Sequence, residues 1–450
     1  MPPPSARLAG GKRRQTERSN FSAMTGAMYA GIAGLRTHMQ NLNVIGHNVA
    51  NVNTYGYKSQ RAVFKTAIYT TLTGGSNGTG TVGGTNPSQI GYGSNVASVD
   101  IDMSTGNYAV TGKPTDLYLD GDGFFMVGSK DIASSFTGEA TDVNKLTSLT
   151  LTRVGNFEFK ADGYFANNDG NVVYGFLCTG YDDQGKPTFS DQLVPLRLPY
   201  VEKTIQYFNK TTGDLIPNYD PNDPATLPNG VTADQVEERE VMEIVYPKNT
   251  KDDGNGNTTP CPLYETSEVP VLDDQGQPVV DADGNPVTKA LSRSQFESLT
   301  VDKKTGLISG TSKDTGEVVV IGCVAVGSVT NPNGVTSIGD NYYKAGPGSG
   351  DLTVTILGGN AKEMGINQIN SELWQANNAG NANAGTMPEV DGLRPRTSDT
   401  EMIPSGLEMS KTDLAQEIAN MILTQRGYQA NTRIITVTDS MLEELVNMKR

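Results

Sequence analysis

The two ends of the chain share a repeat of apolar residues every seven positions. Near the N-terminus the repeat runs from Phe21 to Val49, and near the C-terminus it runs from Leu407 to Leu442. A repeat of this length is typical of a helix with a narrow apolar seam that packs against another helix. We therefore predict a helix at each end of the chain.

Neither predicted helix is strong by itself. The N-terminal one holds four glycines from Gly26 to Gly46, and each costs about 1 kcal/mol relative to Ala. Polar residues at Gln425, Thr432 and Asp439 interrupt the C-terminal seam, which favours a particular partner over maximal stability. Two helices of an ordinary domain remain an alternative to our hypothesis that the ends gain order on assembly. The predicted subunit packing residues are Met28, Ile32, Leu35, Met39, Leu42, Val49, Leu414, Ile418, Met421, Tyr428, Ile435, Leu442 and Val446.

Strand-like sequence fills the middle of the chain. Polar and apolar residues alternate from Ser94 to Met103, the period of a half-buried strand. Asp-Gly steps such as Asp162-Gly163 and Asp169-Gly170 separate later apolar runs, and such steps favour hairpin turns. These patterns predict antiparallel β structure.

We predict a mainly β chain with terminal α-helices. An outer β domain is inserted in an inner antiparallel β domain, and the two terminal helices form a coiled-coil-like pair. The predicted segments are a disordered extension or upstream mis-start at 1–23, the N-terminal helix at 24–58, a linker or extended arm at 59–93, the first part of the inner β domain at 94–181, the inserted outer β domain at 182–327, the return to the inner domain with an irregular insertion at 328–395, and the C-terminal helix at 396–450.

Charge and cysteine content exclude several classes of protein. The 450 residues include 35 Lys and Arg against 50 Asp and Glu, a net charge of −15, so a general nucleic-acid binder is not expected. The three cysteines, Cys178, Cys261 and Cys323, do not suit a disulfide scaffold. No apolar run follows the basic residues 7–18 as it would in a signal peptide, and no stretch is long enough for membrane insertion.

No group of residues is typical of an active site. His38 and His47 are the only histidines, and their spacing does not place them on one helix face as metal ligands. The segment 281–285 hints at a calcium loop, but Pro286 stands where the loop needs its turn glycine. We predict no catalytic, cofactor-binding or metal-binding residues, and we expect that the chain is not an enzyme.

Several motifs occur in the order found in one known family. They are Met28–Arg36, Asn43–Lys58, Thr111–Phe125, Thr152–Phe159, Asp162–Gly170, Asn331–Gly334, Gly339–Tyr343, Leu407–Leu414 and Gln425–Asn431. These stretches resemble the N-terminal signature, the β domain and the C-terminal helix of the axial proteins of the bacterial flagellum, the rod and hook family. The segment 182–327 resembles the large outer insertion of the hook members.

The resemblance implies a structural subunit of the hook, which self-assembles into a flexible tube that couples the rod to the filament and encloses an export channel. The implied partners are copies of the same chain, the rod, hook cap and hook–filament junction proteins, and the flagellar export apparatus. It also implies an extracellular place in the hook and basal body, reached without a cleaved signal peptide. The alternatives are a distal-rod-type subunit with an outer insertion and a secreted β-rich adhesin or carbohydrate-binding protein.

Overall fold

The computed structural model describes residues 4–448, except 79–82, 131–148, 182–184, 191–192, 217–231, 253–257, 265–267, 271–287, 351, 356 and 358–399. The chain forms two compact units. Unit 1 combines Met1–Ser104 with Ser410–Arg450, and unit 2 is Thr105–Met409. The irregular insertion within 358–395 and the rejected calcium loop at 281–285 lie outside the described residues.

The described residues of unit 1 form two long helices and four strands. They are α1 (Pro4–Ala50), β1 (Gln60–Thr66), β2 (Tyr69–Thr73), β3 (Ser88–Gly91), β4 (Ser94–Ile101) and α2 (Leu414–Asn447). The mainly β chain with terminal helices is therefore as predicted.

Helix α1 differs from its predicted limits at both ends. It begins at Pro4, so residues 4–23, expected to be a disordered extension, are helical. Ala, Leu, Arg, Lys, Gln and Glu predominate between 5 and 17, and these residues favour a helix. The helix ends at Ala50 instead of residue 58, and Gly56 takes a positive φ of 67° in the turns that follow.

The segment predicted as a linker or extended arm forms a two-stranded ribbon. Strand β1 pairs antiparallel with β4 from Gln60↔Ile101 to Thr66↔Ser94. Strand β2 pairs antiparallel with β3, from Tyr69↔Gly91 onward. These strands bury little apolar surface, so the segment can be polar and rich in glycine. Its composition therefore does not predict strands.

Unit 2 is built from strands. They are β5 (Tyr108–Val110), β6 (Leu117–Asp120), β7 (Phe124–Gly128), β8 (Thr150–Thr152), β9 (Glu158–Phe159), β10 (Phe165–Ala166), β11 (Val172–Tyr181), β12 (Pro187–Phe189), β13 (Val194–Pro195), β14 (Tyr200–Asn209), β15 (Val236–Val245), β16 (Lys248–Asp252), β17 (Thr258–Tyr264), β18 (Glu268–Pro270), β19 (Thr288–Ala290), β20 (Ser292–Arg293), β21 (Phe296–Val301), β22 (Leu307–Ser312), β23 (Val318–Val324), β24 (Val326–Val329), β25 (Thr336–Gly339), β26 (Tyr342–Lys344), β27 (Leu352–Thr355), β28 (Glu401–Pro404) and β29 (Gly406–Glu408). Short 3-10 helices occupy Ala233–Gln235 and Pro332–Gly334.

A sheet of fourteen antiparallel strands forms the body of unit 2. Its main path runs β21-β22-β23-β11-β7-β8-β26-β25. The buried side chains Phe125, Phe157 and Phe165 meet edge to face or tilted, with ring centroids 5.2 and 5.4 Å apart. Alternate residues of β7 and the fully buried run of β11 complete this core.

Strands far apart in the sequence close unit 2. Strand β11 pairs with β23, so the strand before the predicted outer insertion lies beside one near its end. Strands β28 and β29 return to pair with β6 and β5, the first strands of the unit. This nesting explains how residues around 105 and 409 come together.

The predicted outer insertion at 182–327 divides between sheets. Strands β14, β15 and β20 form a separate three-stranded sheet, whereas β21, β22 and β23 belong to the fourteen-stranded sheet. The boundaries of the inner and outer β domains therefore stay a prediction.

A buried ion pair links the beginning and the end of unit 2. The Arg153 and Glu408 side chains are 2% and 1% exposed, with Nη1 and Oε2 3.5 Å apart. Arg153 also donates to the carbonyls of Leu119 at 3.2 Å and Gly121 at 2.7 Å. Glu408 accepts from the backbone N–H of Gly106 at 2.6 Å. Burial lowers the pKa of Arg153, and the charge of Glu408 opposes that change.

We expect Glu408→Gln to destabilise unit 2 by about 3 to 5 kcal/mol, because it leaves the Arg153 guanidinium buried without a counter-charge. Urea unfolding followed by tyrosine fluorescence measures this change. The matched control is Glu158→Gln, since the Glu158–Lys160 ion pair is exposed, and its cost should stay below about 1 kcal/mol. Equal effects of the two variants would contradict a structural role of the buried pair.

Candidate functional site

The two terminal helices pack against each other in opposite directions. Gly31 faces Ile435, Gly34 faces Asn431 and Gly427 faces His38. A Cβ atom added to Gly34 would lie 2.7 Å from Asn431 Nδ2, and one added to Gly427 would lie 2.7 Å from the His38 ring. The glycines that weaken α1 in the sequence therefore permit close approach of the helices.

The contact line between α1 and α2 is polar. Asn41 donates to Thr424 Oγ1 at 2.9 Å, and Asn48 donates to Glu417 Oε1 at 3.0 Å. On the α2 side, Glu417, Thr424, Asn431 and Thr438 follow one another at seven-residue spacing, and both threonines are buried. The polar residues Gln425, Thr432 and Asp439, expected to interrupt the seam, each lie one position beyond this line.

Asn48 holds three segments of unit 1 together. Its Oδ1 accepts from the Tyr57 hydroxyl and from the Gln60 N–H, each at 2.9 Å. Its Nδ2 donates to the Gln60 carbonyl at 2.7 Å and to Glu417. All four hydrogen-bonding positions of this fully buried amide are used. Burial and the charge of Glu417 raise the pKa of Tyr57 to about 12, so its hydroxyl keeps its proton.

Local sequence fixes the start of α2 and the approach of the ribbon to α1. Asp413 caps α2 by accepting from the N–H groups of Ala415 and Gln416 at 3.0 and 3.2 Å. Thr37 of α1 donates to the Ser94 carbonyl at the start of β4, at 2.8 Å. These contacts tie both helices and the ribbon into unit 1.

None of the thirteen predicted packing residues is buried inside the helix pair. Five of them are 36% to 65% exposed, namely Met39, Leu414, Ile418, Tyr428 and Val446. The others are half-buried, namely Met28, Ile32, Leu35, Leu42, Val49, Met421, Ile435 and Leu442. Of these eight, Ile435 meets Gly31 across the pair, 3.2 Å from the Cβ position of that glycine. Their role in contacts between subunits stays a prediction.

Sequence reasoning missed a second set of apolar residues on α2. Leu423, Ile434, Val437, Met441 and Leu445 are each 41% to 67% exposed. Their signal was present, because Leu423 and Val437 lie fourteen positions apart and Ile434 and Met441 lie seven apart. The repeat that begins at Leu407 does not include them, and Leu407 itself lies in strand β29, outside the helix.

The histidines and the two described cysteines have the surroundings of structural residues. His38 lies beside Phe64, and His47 lies edge to face with Tyr57, with ring centroids 6.2 and 5.5 Å apart. Burial raises the pKa of the Cys178 thiol to about 11 and that of Cys323 to about 12, so neither is a ready nucleophile.

Within the described ranges, no three His, Cys, Asp or Glu side chains are grouped to hold a metal ion. Neither helix, over its described residues, has an apolar stretch that could cross a membrane.

The candidate site is thus an antiparallel pair of terminal helices with a polar contact line and apolar flanks, in a mainly β chain. The sequence profile of the flagellar basal body rod FlgEFG protein C-terminal family matches residues 404–448, which include α2. The profile of the flagella basal body rod protein family matches residues 28–58, which include the end of α1.

Full-length relatives agree with these matches. The flagellar basal-body rod protein FlgG of Bacillus subtilis is 26% identical over 430 residues, covering 95% of this chain and 100% of the relative. The flagellar hook protein FlgE of Borreliella burgdorferi is 27% identical over 466 residues, with 95% and 100% covered. FlgE of Salmonella typhimurium is 25% identical over 441 residues, with 93% and 98% covered. The two ends of the chain and most of its length are thus similar to rod and hook proteins of the bacterial flagellum.

The two helix glycines at positions 34 and 46 provide a matched test of the helix pair. We expect Gly46→Gln to stabilise unit 1 by up to about 1 kcal/mol, because no atom lies within 4 Å of its Cβ position and Gln favours a helix. Gly34→Gln should instead cost about 1 to 3 kcal/mol, because Asn431 occupies the space. Thermal unfolding followed by circular dichroism at 222 nm measures both. A stabilising Gly34→Gln would contradict the close contact.

Proposed function

We propose that this chain is a structural subunit of the bacterial flagellar hook. It self-assembles into a flexible tube that couples the rod to the filament and encloses an export channel. The observation that carries the proposal is the open apolar surface of the terminal helix pair. The names of the Borreliella and Salmonella relatives support the hook as the place of assembly.

Burial explains why this surface needs a partner. The helices of one chain meet through glycine, asparagine and threonine, and leave Leu414, Ile418 and Ile422 between 43% and 47% exposed on one flank of α2. Covering a side chain of this size stabilises a complex by about 1 kcal/mol or more. Contiguous apolar surface of this kind marks an interaction site. In a homopolymer, a second copy of the same chain would cover this surface.

The proposal extends to location and to further partners. The hook lies outside the cell, and its subunits meet the rod at one end and junction proteins at the other, with a cap during growth. The chain reaches this place through the flagellar export apparatus. The flagellar families of its two ends support this location.

A distal-rod-type subunit is the second candidate. The B. subtilis rod relative supports it, because its whole length is matched, as is that of the Borreliella hook relative. The two candidates differ in the position of the protein in isolated flagella. Antibody labelling of hook–basal bodies under the electron microscope should mark the hook for the first candidate and the rod for the second.

We expect Leu414→Asp to prevent polymerisation, because a carboxylate would be buried at each contact between copies. The measurement is sedimentation of polymer formed by the purified full chain, together with motility of cells in which the variant replaces the native protein. The control is Ser440→Asp, which adds the same charge at an exposed polar position of α2. Circular dichroism of both monomers should match that of the parent chain. Polymer yield unchanged by Leu414→Asp would refute assembly through this surface.

A further inference from the structure

The described residues of unit 2 show two connections between its three-stranded sheet and its fourteen-stranded sheet. The first connection runs from β13, which pairs with β11 of the larger sheet, to β14 of the smaller one. The second runs from β20, which pairs with β14, to β21 of the larger sheet. Because every residue of a connection has two soft backbone angles, side-chain contacts are needed to fix one orientation of the smaller sheet.

Arg293 of β20 contacts both sheets at the point where they are connected. Its guanidinium carbon is 4.0 Å from the centre of the Tyr200 ring, at the start of β14. The same carbon is 5.7 Å from the ring centre of Tyr164, which directly precedes β10 of the larger sheet. Its Nη1 also donates to the carbonyl of Leu198, in the first connection, at 2.7 Å. One planar cation therefore bridges the two sheets and the segment between them.

The turn at Gly163 provides the space that Arg293 occupies. Gly163 is buried and has a φ of 78°. A Cβ atom added to it would lie 2.9 Å from Arg293 Nε and 3.0 Å from Arg293 Cδ. The Gly163 carbonyl accepts from the N–H of Leu198 at 2.9 Å, which joins this turn to the first connection. A side chain at position 163 would therefore displace the arginine.

Tyr164, the contact of Arg293 on the larger sheet, is itself held by its neighbours. Asp162 Oδ1 accepts from the N–H of Tyr164 at 3.3 Å. Lys130 Nζ lies 5.4 Å from the centre of the Tyr164 ring and donates to Asp162 Oδ2 at 2.9 Å. Tyr164 also forms an antiparallel bridge with Arg197 of the first connection. Arg293 thus contacts a ring whose position is set by other bonds.

A second aromatic contact also crosses between the sheets. Tyr246, which follows β15, lies edge to face with Tyr181 at the end of β11, with ring centroids 5.8 Å apart. The Tyr181 hydroxyl accepts from the N–H of Val320 at 3.1 Å. This ring pair is one contact between the sheets, whereas Arg293 contacts two rings and a carbonyl. We therefore expect Arg293 to supply most of the restraint.

We propose that Arg293 is a latch that holds the three-stranded sheet in one orientation on the fourteen-stranded sheet. While Arg293 occupies the space beside Gly163, the two sheets move as one rigid body. When its contacts are lost, the smaller sheet rotates about its two backbone connections. The latch is a property of the single chain, so it does not depend on the proposed function.

Distances between spin labels on the full chain test the latch. All chains carry Cys261→Ser, because the other two cysteines are buried. The cross-sheet label pair is Glu238→Cys on β15 with Lys344→Cys on β26. The reference pair is Ser298→Cys on β21 with Lys344→Cys, and both of its strands belong to the fourteen-stranded sheet. All three positions are exposed. Double electron–electron resonance measures the width of each distance distribution.

We expect Arg293→Ala to widen the distribution of the cross-sheet pair about twofold or more, while the reference pair keeps its width. Arg293→Lys should widen it as well, because an ammonium group lacks the planar fork that stacks on a ring and donates at its edge. The control is Arg239→Ala, since Arg239 lies over Phe208 inside the three-stranded sheet, 5.1 Å from the ring centre. An unchanged cross-sheet width in Arg293→Ala would overturn the latch. Equal widening of the reference pair, or equal widening by Arg239→Ala, would also overturn it.

Gly163→Ala gives an independent test, because it acts on the latch without changing Arg293. Its matched control is Gly170→Ala, at a second Asp-Gly turn, where φ is 85° and no atom lies within 4 Å of the Cβ position. Both variants carry the strain of a positive φ, but only Gly163→Ala should widen the cross-sheet distribution.

Combining Gly163→Ala with Arg293→Ala should add no further width, since both changes remove the same contacts. Equal widths for Gly163→Ala and Gly170→Ala would overturn the latch. If Arg293→Ala does not fold, Arg293→Lys and Gly163→Ala decide by the same criteria.

Discussion

The close contact of α1 and α2 is the constraint on which the proposed assembly surface depends. Glycines at 31, 34 and 427 let the helices approach until side chains of one meet the backbone of the other. The contact itself uses amide, hydroxyl and carboxylate groups, as in Asn41–Thr424 and Asn48–Glu417. Apart from contacts such as Ile435 against Gly31, most apolar residues of α2 lie outside this contact. They remain on the flanks, where neighbours can cover them.

In unit 2 the first and last strands pair with each other, although an irregular β structure lies between them in the sequence. Two short strand pairings, β5 with β29 and β6 with β28, place the first and last residues side by side. The Arg153–Glu408 pair adds a buried charge contact that tolerates little movement. A unit closed in this way can be inserted between two helices without separating the points at which the chain enters and leaves.

The sequence predicted element types better than contacts. The seven-residue repeats identified both helices, and the Asp-Gly steps identified turns such as that at Gly163, which has a φ of 78°. The glycines of α1 predict a weak helix. Their effect on stability depends on which residues lie opposite them on α2, and no local pattern shows this. The ribbon of β1 to β4 could not be predicted for a similar reason. Its strands pair with partners distant in the sequence, and few of their residues are buried. The repeat that begins at Leu407 does not include Leu423, Ile434 or Val437, and Leu407 itself lies in a strand.

The separation of the paired helices along the chain has a consequence for timing. Asn41 and Thr424, which bond across the contact, are 383 residues apart. A chain that is still being synthesised or threaded through a narrow passage lacks one member of the pair until its last residues emerge. The first helix, with its glycines, has little helical stability before then. The order of the sequence therefore delays the pairing of the two helices until nearly the whole chain is available.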